Sequence, residues 1–159
     1  MVASSFDSSD RSHSRILLVD DNRNGLVARK TVLEELGYHI VAVDQASEAW
    51  ERFQREAFDL VITDYKMPRM SGLELIRRIR EHSPGIPILL ISGFADTLGL
   101  TEASTGADLV LQKSANEVQQ MVRAVARLLK KKVAPKKPPT SARGASKTQA
   151  SPKSKSKGV

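Results

Sequence analysis

Four places in the 159-residue chain carry side chains that can do chemistry together, and each follows a short apolar run. Val19 is followed by Asp20 and Asp21, the run Leu60 to Thr63 by Asp64, Ile86 to Ile91 by Ser92, and Leu109 to Leu111 by Gln112 and Lys113. If these runs are strands of one parallel sheet, three carboxylates, a hydroxyl and an ammonium converge beyond the carboxyl ends, where ligands of such sheets bind. Crowded carboxylates repel one another, and a cation relieves the cost of keeping them all ionised. Mg²⁺ suits such a set, because it takes oxygen ligands in an octahedron and typically bridges one or two carboxylates to a phosphoryl oxygen. An Asp beside that ion can act as a nucleophile toward phosphorus, while the metal and Lys113 offset charge on the equatorial oxygens. Ser92 can then hydrogen-bond the product and draw the loop after its strand with it.

Each signal alone has an ordinary explanation. Asp20 and Asp21 can favour a helix N-terminus, Pro68 and Gly72 can shape a turn behind Asp64, Ser92 can end a strand, and Lys113 can be a solvated charge. The functional reading rests on all four agreeing with one mechanism. The three histidines, His13, His39 and His82, are scattered and form no metal cluster. Trp50 and Phe53, three apart on a helical pattern, read as packing residues.

The elements that must position these groups alternate. Strands are predicted at Ile16 to Val19, His39 to Val43, Leu60 to Thr63, Ile86 to Ile91 and Leu109 to Leu111, nearly continuous apolar runs of the kind buried on both faces. Helical patterns follow at Gly25 to Leu36, Ser47 to Glu56, Leu73 to His82, Thr97 to Ser104 and Asn116 to Lys130. This (βα)₅ order predicts an α/β fold, a doubly wound five-stranded parallel sheet. Val118, Met121, Val122, Val125, Leu128 and Leu129 form a stripe on the last helix. Ser71 with Glu74 and Ser114 with Glu117 fit the capping box, and Gly37 and Gly106 are placed to stop helices. Gly93, Gly99 and three hydroxyl residues weaken the fourth helical segment, which is expected to be short or mobile.

Composition narrows the class. The chain is long enough for one ordinary core. It has no cysteine, which excludes disulfides, thiolate zinc sites and thiol nucleophiles. No run approaches the ~20 apolar residues that span a bilayer, so no membrane insertion and a cytoplasmic location are expected. The net charge of +7 is uneven: residues 130 to 159 hold ten Lys or Arg and no acid, leaving residues 1 to 129 at −3. The expected organisation is therefore a disordered start over residues 1 to 13, one domain over 14 to 131, and a disordered basic tail over 132 to 159 rich in Lys, Pro, Ser and Ala.

Val19-Asp20-Asp21, Asp64-x-x-Met67-Pro68-x-x-x-Gly72, Ser92-Gly93 and Lys113, in that order after successive strands, resemble the receiver domains of two-component signalling, close to the single-domain chemotaxis regulator. The resemblance covers residues 14 to 131 and implies a flavodoxin-like sheet of strand order 2-1-3-4-5. It implies that Asp64 is the phosphoacceptor, that Asp21 is a direct Mg²⁺ ligand and Asp20 a ligand through water, and that the backbone carbonyl of Lys66 is a further ligand. Ser92 and Lys113 would contact the phosphoryl oxygens. The implied partner is a sensor histidine kinase or phosphotransfer protein, with the chain a monomer or weak homodimer. The implied activity is limited to its own phosphorylation and dephosphorylation.

Three positions depart from the family pattern. Ser114 stands where receivers usually have Pro after the Lys; it offers a helix cap and a trans peptide, and leaves the reach of Lys113 open. Val110 stands where many receivers carry an aromatic, so output through an aromatic rotamer is replaced by an expected change of order in residues 93 to 106. The basic tail has no apolar periodicity from which to build an output domain, but its charge suits nucleic acid or an acidic partner. A chain whose receiver fold mainly carries that tail is the competing reading. A phosphohydrolase is disfavoured, because the position two residues after Asp64 is Lys66 rather than an acid.

Overall fold

The computed structural model describes residues 13 to 130. The expectations for the disordered start and for the basic tail fall outside the described residues. The elements run β1 (Arg15–Val19), α1 (Arg23–Glu35), β2 (His39–Val43), α2 (Ala46–Arg55), β3 (Leu60–Asp64), α3 (Gly72–His82), β4 (Ile88–Ser92), α4 (Ala95–Leu98), α5 (Glu102–Thr105), β5 (Leu109–Gln112) and α6 (Glu117–Lys130).

The five strands form one sheet in the order β2-β1-β3-β4-β5, all parallel, as expected. Because side chains alternate across a strand, each apolar run supplies both faces. Ile16, Leu18, Leu60, Ile62, Leu89 and Ile91 pack with Leu26 and Leu33 of α1 and with Met121, Val125 and Leu128 of α6. Leu17, Val19, Val61, Ile88 and Leu90 pack on the other face with Ala49 and Phe53 of α2 and Leu75, Ile76 and Ile79 of α3. Trp50 and Phe53 stack at 6.2 Å between centroids with the His82 ring edge-on to both, which bears out their reading as packing residues. No helix among the described residues is long and apolar enough to cross a membrane.

Several local expectations need correction. β4 begins at Ile88, not Ile86, because the Ile86 carbonyl accepts from Arg80 Nη1 at 2.5 Å and Pro87 has no N–H for the ladder. The fourth helical segment is two single-turn helices. Gly99, at φ +63°, closes α4 in the left-handed region, and Thr101 and Ser104 cap each other reciprocally at the start of α5. Ser71 caps α3 through the Glu74 N–H, but Glu74 does not return the bond. Its carboxylate is taken by Arg77 and Arg78, which hold it down to about 2. Val118, expected in the α6 stripe, is exposed, and Ala124 is buried there instead.

Arg80 of α3 is buried at 1% exposure without periodicity having marked it. Its guanidinium donates to the carbonyls of Gly106 (2.8 Å), Pro84 (3.0 Å) and Ile86, and to Asp108 Oδ2 (2.7 Å), which also accepts from Ile88 N–H. One side chain thus ties α3 to the starts of β4 and β5. Arg80→Met keeps the apolar stem but strands a buried carboxylate and three carbonyls, so it is expected to cost about 3 kcal/mol, read as a lower urea midpoint.

Candidate functional site

The ends of β1 and β3 place two carboxylates by backbone alone. The Asp20 N–H continues the ladder by donating to Val43 O at 3.2 Å, and Asp20 is buried at 1% exposure. Asp21 follows on the exposed loop, and Asn22 caps α1 by accepting from Gly25 N–H. Asp64 is the last residue of β3 and is buried at 7%. One carboxylate oxygen from each of Asp20, Asp21 and Asp64 lies within 4.8 Å of the others, the one such acidic group among the described residues.

Lys113, first residue after β5, reaches across with Nζ 3.2 Å from Asp64 Oδ1. Its backbone is fixed by donation to Ser92 O at 2.9 Å. Ser114 therefore does not prevent the reach, and the peptide between them is trans. The expected box with Glu117 does not form: Ser114 Oγ accepts from Asn116 N–H, and Glu117 is turned to an arginine.

Burial pushes the Asp64 carboxyl up from its ordinary range and Asp20 adds to the rise, while Lys113 and the Tyr65 N–H oppose it. This is the electrostatic signature of a carboxylate crowded against another in a partly desolvated place.

The segment behind Asp64 explains the Met67-Pro68-x-x-x-Gly72 pattern. Met67 is buried under the loop, Arg69 takes φ +70°, and the chain returns so that Gly72 N–H donates to Tyr65 O at 2.8 Å. A Cβ on Gly72 would lie 2.0 Å from the Asp64 carbonyl oxygen. Glycine is thus required by close approach to the strand that presents Asp64.

Ser92 ends β4, one residue beyond the Asp64–Ile91 register pair, and is fully buried. Its hydroxyl accepts from Phe94 N–H at 2.9 Å. Lys66 is on the loop after Asp64 with an exposed side chain whose ammonium sits 5.2 Å from the centroid of the half-exposed Phe94 ring. The structure thus brings Asp20, Asp21, Asp64 and Lys113 into one cluster, with Ser92 on the adjoining strand end and Lys66 on the rim.

One participant escaped the sequence reading. Arg29 of α1 is 6% exposed and pairs with Asp20 Oδ2 through Nη1 and with Glu117 of α6, with Nε 2.6 Å from Glu117 Oε1. Its signal was positional: Arg29 lies between Leu26 and Leu33 at spacings of three and four, on the buried stripe of α1.

Residues 16–126 match the family described as Response regulator receiver domain. Over 81 residues the chain is 43% identical to the response regulator receiver protein CpdR of Brucella abortus, a match covering 51% of this chain and 68% of CpdR. It is 39% identical over 93 residues to the virulence sensor protein BvgS of Bordetella pertussis, covering 56% of this chain and only 8% of BvgS. Among solved structures it is similar to the response regulator TrrA of Thermotoga maritima in complex with Mg²⁺-BeF, at 34% identity and TM-score 0.66, over 72% of this chain and 98% of that one. A CheY-like receiver domain protein of Methanospirillum hungatei gives 28% identity and TM-score 0.67, over 74% and 94%. The strand-end carboxylates, the sheet order and these likenesses agree, and the chain belongs to the response-regulator receiver family, the phosphoaccepting modules of phosphorelay signalling.

Proposed function

We propose that this receiver takes a phosphoryl group on Asp64 from the phosphohistidine of a sensor histidine kinase or phosphotransfer protein, and signals by altered docking to a partner. The observation that carries the reading is Asp64 itself, a buried strand-end carboxylate with Lys113 at 3.2 Å and two further carboxylates gathered beside it. In the transfer, an Asp64 carboxylate oxygen bonds to phosphorus, the phosphorus–nitrogen bond breaks, and its electron pair stays on the imidazole. Lys113 is placed to offset charge on the phosphoryl oxygens. Turnover of other substrates is no part of this reading, and a kinase-facing role of this kind implies the cytoplasm.

The donor set fits Mg²⁺: all hard carboxylate oxygens, converging, two of them buried. Asp20, Asp21, Asp64 and the Lys66 carbonyl would hold it, and when bound it would neutralise developing phosphoryl charge. Ser92 supplies the link to output. If its hydroxyl donates to a phosphoryl oxygen, the Phe94 N–H that it accepts moves with it, and α4 and α5 follow up to the Gly106 stop.

Incubation with acetyl phosphate and MgCl₂ is expected to add one phosphoryl group per chain by intact mass, and excess EDTA to prevent it; uptake indifferent to EDTA would contradict the metal assignment. Lys113→Met is expected to slow uptake about a hundredfold, the scale of losing one preorganised charge from a transition state. Stopped-time mass measurements would check this, and a change below threefold would remove Lys113 from the reaction.

A further inference from the structure

The Arg29 bridge is not needed to hold a phosphoryl group, yet it is built with some care. Arg29 and Asp20 are both more than nine-tenths buried, and the remaining oxygen of Asp20, Oδ1, accepts from Asn22 N–H at 2.9 Å. Glu117, the partner on the other side, lies 88 residues away at the first turn of α6. Room for the guanidinium comes from Gly25, one helical turn before Arg29: a Cβ there would lie 3.2 Å from Asp20 Oδ2 and 3.3 Å from Arg29 Nη1. A buried charge left without a partner is costly, and Arg29 is held by two acids at once, so losing one still leaves it paired.

We propose that Arg29 is a positioning residue that competes with the metal ion for Asp20 and, through Glu117, makes the first turn of α6 respond to metal occupancy. The inference rests on the Mg²⁺ reading given above. Two of the three clustered carboxylates already face a cation, Asp64 facing Lys113 and Asp20 facing Arg29. A divalent ion arriving at Asp20 repels the guanidinium, and Glu117, which already accepts from Arg29 Nε at 2.6 Å, keeps it paired. Charge on Arg29 thus weakens metal binding, and charge on Glu117 strengthens it by drawing Arg29 away.

These two effects have opposite signs, which a merely structural role does not produce. Titration of the full chain with MgCl₂ by calorimetry is expected to show Arg29→Met binding about tenfold more tightly and Glu117→Gln about threefold more weakly than wild type, with Arg29→Lys returning toward wild type. In wild type, amide exchange of residues 117 to 120 is expected to slow on adding MgCl₂, and in Arg29→Met to be unaffected. Equal affinities, or losses of affinity in both variants, would overturn the role of Arg29. If Arg29→Met does not fold, Glu117→Gln decides alone, since wild-type affinity in that variant overturns the coupling. Absence of Mg²⁺ binding by wild type would instead overturn the metal site itself, and this inference with it.

Discussion

Asp64→Asn is expected to take up no phosphoryl group from acetyl phosphate under conditions that phosphorylate wild type fully, and at the same time to be the more stable protein when metal is removed. The first half follows because an amide is not a nucleophile toward phosphorus, and the other carboxylates of the cluster end a different strand. The second follows from the environment of the carboxylate. Burial and the neighbouring Asp20 raise the pKa of Asp64 in the folded chain, so its ionised form is disfavoured by folding. A carboxyl whose folded pKa is raised contributes stability below its unfolded pKa and loses that contribution as pH rises through the folded one. Above its unfolded pKa the wild type therefore loses stability as pH rises, and Asn, which does not ionise, avoids that loss. In EDTA the variant's thermal midpoint is expected to be a few degrees higher. If Mg²⁺ binds the folded cluster as proposed, adding it should raise the wild-type midpoint more than the mutant's. A variant that is inert but less stable would contradict the stability half of this expectation, so the two readouts belong together.

Gly72→Ala is expected to be among the most damaging single-methyl changes in the domain. The added carbon would sit 2.0 Å from the Asp64 carbonyl oxygen and 3.1 Å from Tyr65 Cα, backbone atoms rather than the yielding end of a side chain. Relief requires either that the first turn of α3 move away, breaking the Gly72 N–H to Tyr65 O bond, or that the end of β3 move. Either displaces the carboxylate that the site depends on. A loss of about 3 kcal/mol in urea unfolding is expected, with phosphoryl uptake falling in the protein that remains folded. A change below ~1 kcal/mol with uptake intact would show that this turn is softer than its contacts imply.

The parts of the fold that were legible in the sequence are those whose cause is local. Runs such as Leu60 to Thr63 read as strands because a sheet covered on both faces demands apolar residues at consecutive positions. The weakness of the fourth helical segment was readable from Gly99, although its division into two capped turns was not. The carboxylate cluster was legible because Asp20, Asp21, Asp64 and Lys113 all stand at or just after strand ends, so the topology alone brings them together. What stayed hidden depends on partners far along the chain. Ser114-x-x-Glu117 has the spacing of a capping box, but Glu117 is claimed by Arg29. Ile86 is apolar enough to begin a strand, but its carbonyl serves Arg80. Both arginines read as surface charges by type, and only the burial of their helix faces, with acids waiting on other elements, makes them interior residues.

Mapping the phosphoryl group tests the central claim most directly. Borohydride reduces an acyl phosphate to the alcohol, so an aspartyl phosphate becomes homoserine at the position that carried it. After reaction with acetyl phosphate and MgCl₂, reduction and peptide mass analysis are expected to place homoserine at residue 64 and at no other aspartate, with none formed in EDTA. Homoserine at position 20 or 21, or a phosphoryl group found on a serine or histidine, would contradict the account.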